Sequence, residues 1–220
     1  MRINPAWKRA LGVAGMTAVA LLYTVPRAGS DSNPLNVVVS KLVPVAVTDT
    51  SLVSDMWDLP NIDNPSVDSW VTRFTTSPTM RRTLAIWLDR KTNYDEMIST
   101  KLAEREMPQD LIYLAMIESG FNPKAKSPAA AGGLWQFISE TGRRYGLTVS
   151  RRVDERNQPD KATDAALSYL SDLYDRFGSW YLAAAAYNTG ENRVGRIMRE
   201  TTGSERGTDE RGQVLVAGLA

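Results

Sequence analysis

The stretch MPQDLIYLAMIESGFNP, residues 107–123, contains the pattern that decides the fold. Its centre, residues 111–117, is almost wholly apolar, which is typical of a helix that is buried on all sides. Pro108 suits the first turn of a helix, so the helix should begin near Met107. Gly120 and Pro123 should end it. The pattern therefore predicts a buried helix over 110–118 that carries Glu118 at its C-terminal end.

Helical periodicity recurs on both sides of this stretch, and the loops between are rich in Gly, Ala, Pro and Ser. We predict a mainly α fold without an internal repeat. Asn93 is a candidate N-cap for the helix that follows it. The other predicted helices cover residues 66–76, 79–88, 139–145, 160–177, 179–187 and 191–198.

The chain should comprise a segment 1–30, a lead-in 31–65, a mainly helical domain 66–200 and a polar tail 201–220. Arg2, Lys8 and Arg9 precede an uncharged, mostly apolar stretch at 11–25, as in an export signal. We expect this signal to be cleaved, which predicts a periplasmic or other cell-envelope location. The alternative is an uncleaved anchor that associates the protein with the membrane.

The 220 residues contain no Cys and no His. This composition excludes Ser–His and Cys–His nucleophilic triads and Cys/His zinc sites. Acid/base catalysis near neutral pH would have to use carboxylates, Lys or Tyr. The formal net charge of +1 argues against a nucleic-acid partner. We expect neither a metal nor an organic cofactor.

Glu118 is the candidate acid/base. Partial burial and the negative end of the helix dipole would both raise its pKa toward the range of a general acid. Taken alone, the residue could equally be a solvated carboxylate at a frayed helix end.

Two further stretches favour the catalytic interpretation of Glu118 over the solvated one. SPAAAGGLWQF, residues 127–137, supplies Gly133 for a close backbone approach and Gln136 as both donor and acceptor for sugar hydroxyls. Its aromatic residues, Trp135 and Phe137, are expected in the core rather than against a ligand.

The second stretch, AAAYNTG, residues 184–190, offers a phenol and an amide at a helix end through Tyr187 and Asn188. The alternative is that Asn188 caps the helix and Tyr187 packs in the core.

The segments ESGFNPKAKS (118–127), AGGLWQF (131–137) and AAYNTGENRV (185–194) together resemble the soluble-lytic-transglycosylase (SLT) catalytic domain. Flanking segments, including MPQDLIYLAM and RRYGL, are similar to the membrane-bound type D branch of that family. The resemblance covers residues 67–198 and implies a fold like that of goose-type lysozyme.

The resemblance also implies roles for individual residues. Glu118 matches the family's catalytic Glu. Ser127 matches a Ser that contacts that Glu or the substrate. The other substrate-binding positions correspond to Gly133, Gln136, Tyr187 and Asn188. The substrate would be the glycan strand of peptidoglycan, cleaved between N-acetylmuramic acid and N-acetylglucosamine to leave a 1,6-anhydro sugar.

Two alternatives follow from the same residues. A hydrolytic muramidase would need a second carboxylate, and Asp154, Glu155, Asp160 and Asp164 are the nearest downstream candidates; we expect them to be structural. A non-catalytic peptidoglycan-binding protein is the other alternative. It is suggested because the residues after Met198 do not match the segment that usually closes the family's cleft.

Overall fold

In the computed structural model, the described residues are Leu59 and 65–206. The chain divides into two compact units; in the described part, the first comprises Leu59 and residues 65–169 and the second residues 170–206. The export signal and most of the lead-in and tail lie outside the described residues. No helix in the described ranges is long and apolar enough to cross a membrane.

The described residues are mainly helical, which confirms the predicted fold class. They contain isolated β-bridges but no strand. The α-helices, in chain order, are α1 (Pro65–Thr76), α2 (Pro78–Lys91), α3 (Asp95–Glu104), α4 (Ile112–Ser119), α5 (Ser139–Arg144), α6 (Pro159–Phe177), α7 (Trp180–Thr189) and α8 (Glu191–Thr202).

Several helix ends differ from the sequence prediction. The cap of α3 is Tyr94, without a side-chain hydrogen bond, so the assignment of Asn93 was wrong. The predicted helix over 110–118 is a 3₁₀ turn, Gln109–Leu111, followed by α4. Helix α8 continues to Thr202, where the left-handed Gly203 (φ +74°) ends it.

The first unit is built around α4, whose residues from Ile112 to Met116 are all buried. Leu114 and Met116 are fully inaccessible to solvent. Each buried side chain of this size contributes about 1.5–3 kcal/mol relative to an exposed one. Ser77 caps α2 by accepting the Met80 N–H at 3.4 Å, and Pro78 occupies the first turn. The remaining core of this unit includes Leu84, Ile98, Leu102, Phe121, Leu134, Trp135 and Leu167.

The second unit consists of the C-terminal part of α6 with α7 and α8. Leu173, Phe177, Leu182 and Ile197 are buried in it. Its last described residues fold back: Glu205 accepts hydrogen bonds from the guanidinium of Arg176 at 3.0 and 3.3 Å and also forms an ion pair with Arg199.

Candidate active site

Glu118 occupies the last turn of α4, as predicted, and its side chain is half-buried. Gly120 ends the helix in the left-handed conformation, with φ +58° and ψ +37°. Its N–H donates to the Met116 carbonyl at 2.7 Å. This is the αL ending that glycine favours because it has no Cβ. The backbone therefore reverses two residues after Glu118.

Ser119, the neighbour of Glu118, ties the end of α4 to the following loop. Its hydroxyl lies 2.7 Å from the Leu134 carbonyl oxygen and 3.1 Å from that of Ala115. The same oxygen accepts the Asn122 N–H at 3.2 Å. A hydroxyl has only one proton to donate. The Leu134 carbonyl is the nearer acceptor, so we assign the proton to that bond. Sequence reasoning did not assign this residue a role.

The loop over 121–137 is cross-linked by its own backbone. The Ser127 N–H donates to the Ala131 carbonyl at 3.0 Å, and the Ser127 hydroxyl accepts the Ala131 N–H at 3.1 Å. The Gly133 N–H donates to the Ala125 carbonyl at 2.9 Å, and the Gly132 N–H to that of Phe137 at 3.0 Å. Ser127 is thus half-buried in a turn with a fixed position.

Gln136 also closes this loop, from an unusual backbone conformation with φ +49°. Its Nε2 donates to the Gly133 carbonyl at 2.9 Å and to the Ala125 carbonyl at 3.2 Å. Both amide protons therefore stabilise the loop. Among the described residues, no donor bonds to its Oε1 and no acceptor takes the Ser127 hydroxyl proton.

Gly133 makes the close backbone approach that the sequence predicted, and its φ is +81°. The atom that approaches it belongs to the chain itself. A Cβ built on Gly133 would overlap the carbonyl oxygen of Arg156 and lie 2.6 Å from its carbonyl carbon. Only glycine fits against this backbone. Its assignment to substrate binding stays a prediction.

Arg156 lies behind the loop, 8% exposed. Its Nη1 donates to the carbonyls of Ala130 at 2.8 Å and Phe137 at 2.9 Å. Its Nε and Nη2 form a bidentate pair with Asp154 at 2.8 and 2.7 Å. This hydrogen bonding lowers the pKa of Asp154 and raises that of Arg156. The guanidinium thus fixes both ends of the 130–137 segment.

The two aromatic side chains of this loop pack inside the unit, as expected. Trp135 is fully buried, and Phe137 is 3% exposed. The Trp135 Nε1 donates to Thr163 Oγ1 at 2.9 Å, and that hydroxyl donates to the Pro159 carbonyl at 2.7 Å. Neither ring is available for stacking on a sugar.

Tyr187 and Asn188 lie in the last turn of α7, in the second unit, and both are half-buried. Gly190, with φ +94°, is the C-cap of that helix, so Asn188 does not cap it. The structure places Glu118, Ser127, Gly133 and Gln136 together in the first unit. The roles of Tyr187 and Asn188 stay predictions.

A family model of the transglycosylase SLT domain matches residues 96–209, more than half of the chain. The chain belongs to the transglycosylase SLT domain family. This membership confirms the resemblance seen in the sequence, and the lysozyme-like helical fold that it implies agrees with the helices described above.

The chain is also similar to individual relatives. Membrane-bound lytic murein transglycosylase D of Escherichia coli (strain K12) is 40% identical over 117 residues, covering 53% of this chain and 26% of the relative. Peptidoglycan transglycosylase gp16 of Escherichia phage T7 is 36% identical over 111 residues, covering 49% of this chain and 8% of the relative.

Soluble lytic murein transglycosylase of Escherichia coli (strain K12) is 28% identical over 116 residues, covering 50% of this chain and 18% of the relative. The matched region therefore spans about a quarter or less of the length of these relatives.

The four acidic residues considered as a second carboxylate of this SLT domain are all held in ion pairs. Asp154 pairs with Arg156, as described, and caps the 3₁₀ turn Glu155–Asn157. Asp160 and Asp164 lie 3.2 and 2.7 Å from Lys101 Nζ. Burial opposes ionisation of Asp164, but hydrogen bonds from Lys101 and Arg105 outweigh it and lower its pKa.

Glu155 is the most strongly perturbed of the four. It accepts hydrogen bonds from the Lys161 ammonium and from the Thr148 N–H, the latter at 2.6 Å. These bonds lower its pKa from 4.5 to about 2. The capping role expected for this segment is confirmed at Asp154. The described residues also contain no cluster of three or more acidic side chains suited to a metal ion.

Proposed function

We propose that this SLT domain is a lytic transglycosylase that cleaves the β-1,4 bond between N-acetylmuramic acid and N-acetylglucosamine in peptidoglycan. The observation that carries the proposal is the position of Glu118: a half-buried carboxylate at the end of a buried helix, joined through Ser119 to the Leu134 carbonyl. Membership in the family, and the names of the relatives, support the same substrate.

The reaction would need Glu118 alone. Its protonated carboxyl donates to the glycosidic oxygen as the C1–O bond breaks, and positive charge develops on the muramic sugar. The resulting carboxylate then accepts the proton of the C6 hydroxyl while that oxygen bonds to C1. Glu118 regains its proton, and no water is consumed. An ordinary glycosidase uses two acidic groups, and the four candidates for a second one are held in ion pairs, which favours this scheme.

Ser127 and Gln136 are proposed to bind sugar hydroxyls. Within the described residues, Ser127 retains a hydroxyl proton for donation and Gln136 retains its Oε1 for acceptance, so the pair offers one donor and one acceptor. Gly133 would bring the loop backbone close to the strand. Tyr187 and Asn188 are proposed to contact the substrate on the strength of the resemblance.

Product analysis tests the reaction. The full chain is incubated with purified peptidoglycan, and the soluble fragments are analysed by mass spectrometry. We expect 1,6-anhydro-muramic ends, and a loss of activity of about 10²–10⁴-fold in Glu118→Gln because a general acid/base contributes about that much.

Glu140→Gln is the matched control: Glu140 is an exposed carboxylate on α5, and its replacement should leave the rate unchanged. Reducing muramic ends would instead identify a hydrolase. Glycan binding without any cleavage, equal in the wild type and Glu118→Gln, would identify a non-catalytic module.

We also propose a cell-envelope location, reached through the N-terminal segment 1–30. Fractionation of cells that express the full chain tests it. Recovery in the periplasm supports a cleaved signal, recovery with membranes supports an anchor, and recovery with the cytosol contradicts both.

A further inference from the structure

Helices α1 and α2 precede the residues that match the SLT family model, which begin at position 96. Even so, α2 contacts the turn that follows Glu118. The indole of Trp87 packs directly against Gly120. A Cβ on Gly120 would overlap the Nε1–Cδ1 edge of that indole and lie 3.0 Å from its Cε2. A side chain at position 120 would therefore fit only if the Trp87 indole moved.

The same turn has two more contacts with residues 90–94. Arg90 Nη1 donates to the Gly120 carbonyl at 3.4 Å. The ring of Tyr94 stacks on Phe121 with centroids 6.4 Å apart and planes at 15°. Gly120 and Phe121 have φ of +58° and +55°, a backbone region that Phe rarely adopts. Phe121 is held there with only 1% of its surface exposed.

Helix α1 supports Trp87 from behind. Phe74, 3% exposed, lies 6.2 Å from the Trp87 ring at 57°. Phe74 also packs on Trp70, with centroids 6.0 Å apart. Trp70 and Trp87 therefore share one aromatic partner. The three atoms nearest to a Cβ on Gly120 all belong to Trp87.

We propose that Trp87 is a positioning residue for Glu118, and that α2, which carries Trp87, is part of the catalytic unit. The indole, backed by Phe74, confines Gly120 to the left-handed conformation that ends α4. Without it, the last turn of α4 would fray and the Glu118 carboxyl would move. A displacement of about 1 Å at a reacting group costs about 10²-fold in rate. The inference rests on the proposed function.

Two tryptophan substitutions in the full chain test this role. Trp87→Ala should lower kcat about 10–100-fold, as expected for a displaced acid, while KM stays within about 2-fold because substrate contacts are untouched. Trp70→Ala removes an indole from the same aromatic cluster and should leave kcat unchanged. If Trp87→Ala does not fold, Trp87→Phe takes its place, with the same direction and a smaller loss in kcat.

Equal kcat in the wild type and Trp87→Ala would overturn the proposal. Equal losses in the two tryptophan variants would also overturn it, since they would indicate general loss of packing.

A second experiment does not depend on turnover. Gly120→Ala is made in the wild type and in Trp87→Ala, and thermal unfolding is measured. The added methyl collides with the indole only when Trp87 is present, so the fall in Tm should be several degrees larger in the wild-type background. Equal falls in both backgrounds would show that Trp87 does not confine this turn.

The two experiments distinguish a failure of the proposed function from a failure of the positioning role. A wild type without anhydro products refutes the proposed function, whatever the Tm values are. An active wild type, inactive as Glu118→Gln but insensitive to Trp87→Ala, refutes the positioning role alone.

Discussion

Replacing Gly133 with alanine would place a methyl group where the backbone of Arg156 already lies. The new Cβ would overlap the Arg156 carbonyl oxygen and lie 2.6 Å from its carbon, and a backbone atom cannot rotate away as a side chain can. Overpacking of this kind costs about 1–3 kcal/mol. The left-handed φ of +81° adds about 1–2 kcal/mol for any residue with a Cβ.

These two costs sum to about 2–5 kcal/mol. The reduced entropy of the unfolded chain favours alanine by about 0.4–1 kcal/mol, so the expected loss in free energy of unfolding for Gly133→Ala is about 1–4.5 kcal/mol. In a chain of this size, a loss of 3 kcal/mol corresponds to a fall in Tm of about 6–12 °C.

Gly146→Ala is the matched control. Gly146 has a similar left-handed φ of +86°, but a Cβ there would meet nothing within 4 Å. It should show the conformational cost alone, about 1 kcal/mol. Urea unfolding followed by circular dichroism measures both variants. Losses that agree within about 0.5 kcal/mol would refute the claim that the Arg156 backbone excludes a side chain at 133.

Three other substitutions test residues whose hydrogen bonds hold the segments around the candidate site. Ser119→Ala removes the bond to the Leu134 carbonyl, so it should cost about 1–2 kcal/mol in urea unfolding and reduce kcat; unchanged kcat would contradict a link between the two segments. The folded-state pKa of Glu155, about 2, lies below its ordinary 4.5, so its stabilising effect is complete above pH 4.5 and disappears as pH falls toward 2. Glu155→Gln should therefore flatten the fall in Tm between those pH values, and an unchanged profile would exclude this carboxylate as a source of acid lability. Trp135→Phe keeps an aromatic ring but leaves the buried Thr163 hydroxyl without its donor, which should cost about 1–3 kcal/mol by thermal or urea unfolding; a loss below about 0.5 kcal/mol would show that the hydrogen bond is dispensable.

The sequence predicted several local features correctly because their causes are local. The apolar run in 111–117 required a buried helix, and Gly120 required that helix to end just after Glu118. Trp135 and Phe137 were assigned to the core, where they lie. The capping prediction at Asn93 failed because the helix begins one residue later than predicted, and the Asn93 amide instead donates to the Arg90 carbonyl at 3.2 Å.

What the sequence determined by itself is the class of the chain and the identity of its candidate acid. Residue type, spacing and the absence of Cys and His depend on nothing but the order of the amino acids. Which distant residues contact the segments around that acid was decided only by the tertiary structure. Trp87 meets Gly120 across 33 positions, Ser119 meets Leu134 across 15, and Arg156 meets Ala130 across 26. No periodicity or local motif encodes such pairs, because each depends on how separate segments pack. Glu118 could thus be proposed as the acid from the sequence, whereas the contacts that hold its turn in place could only be seen in the folded chain.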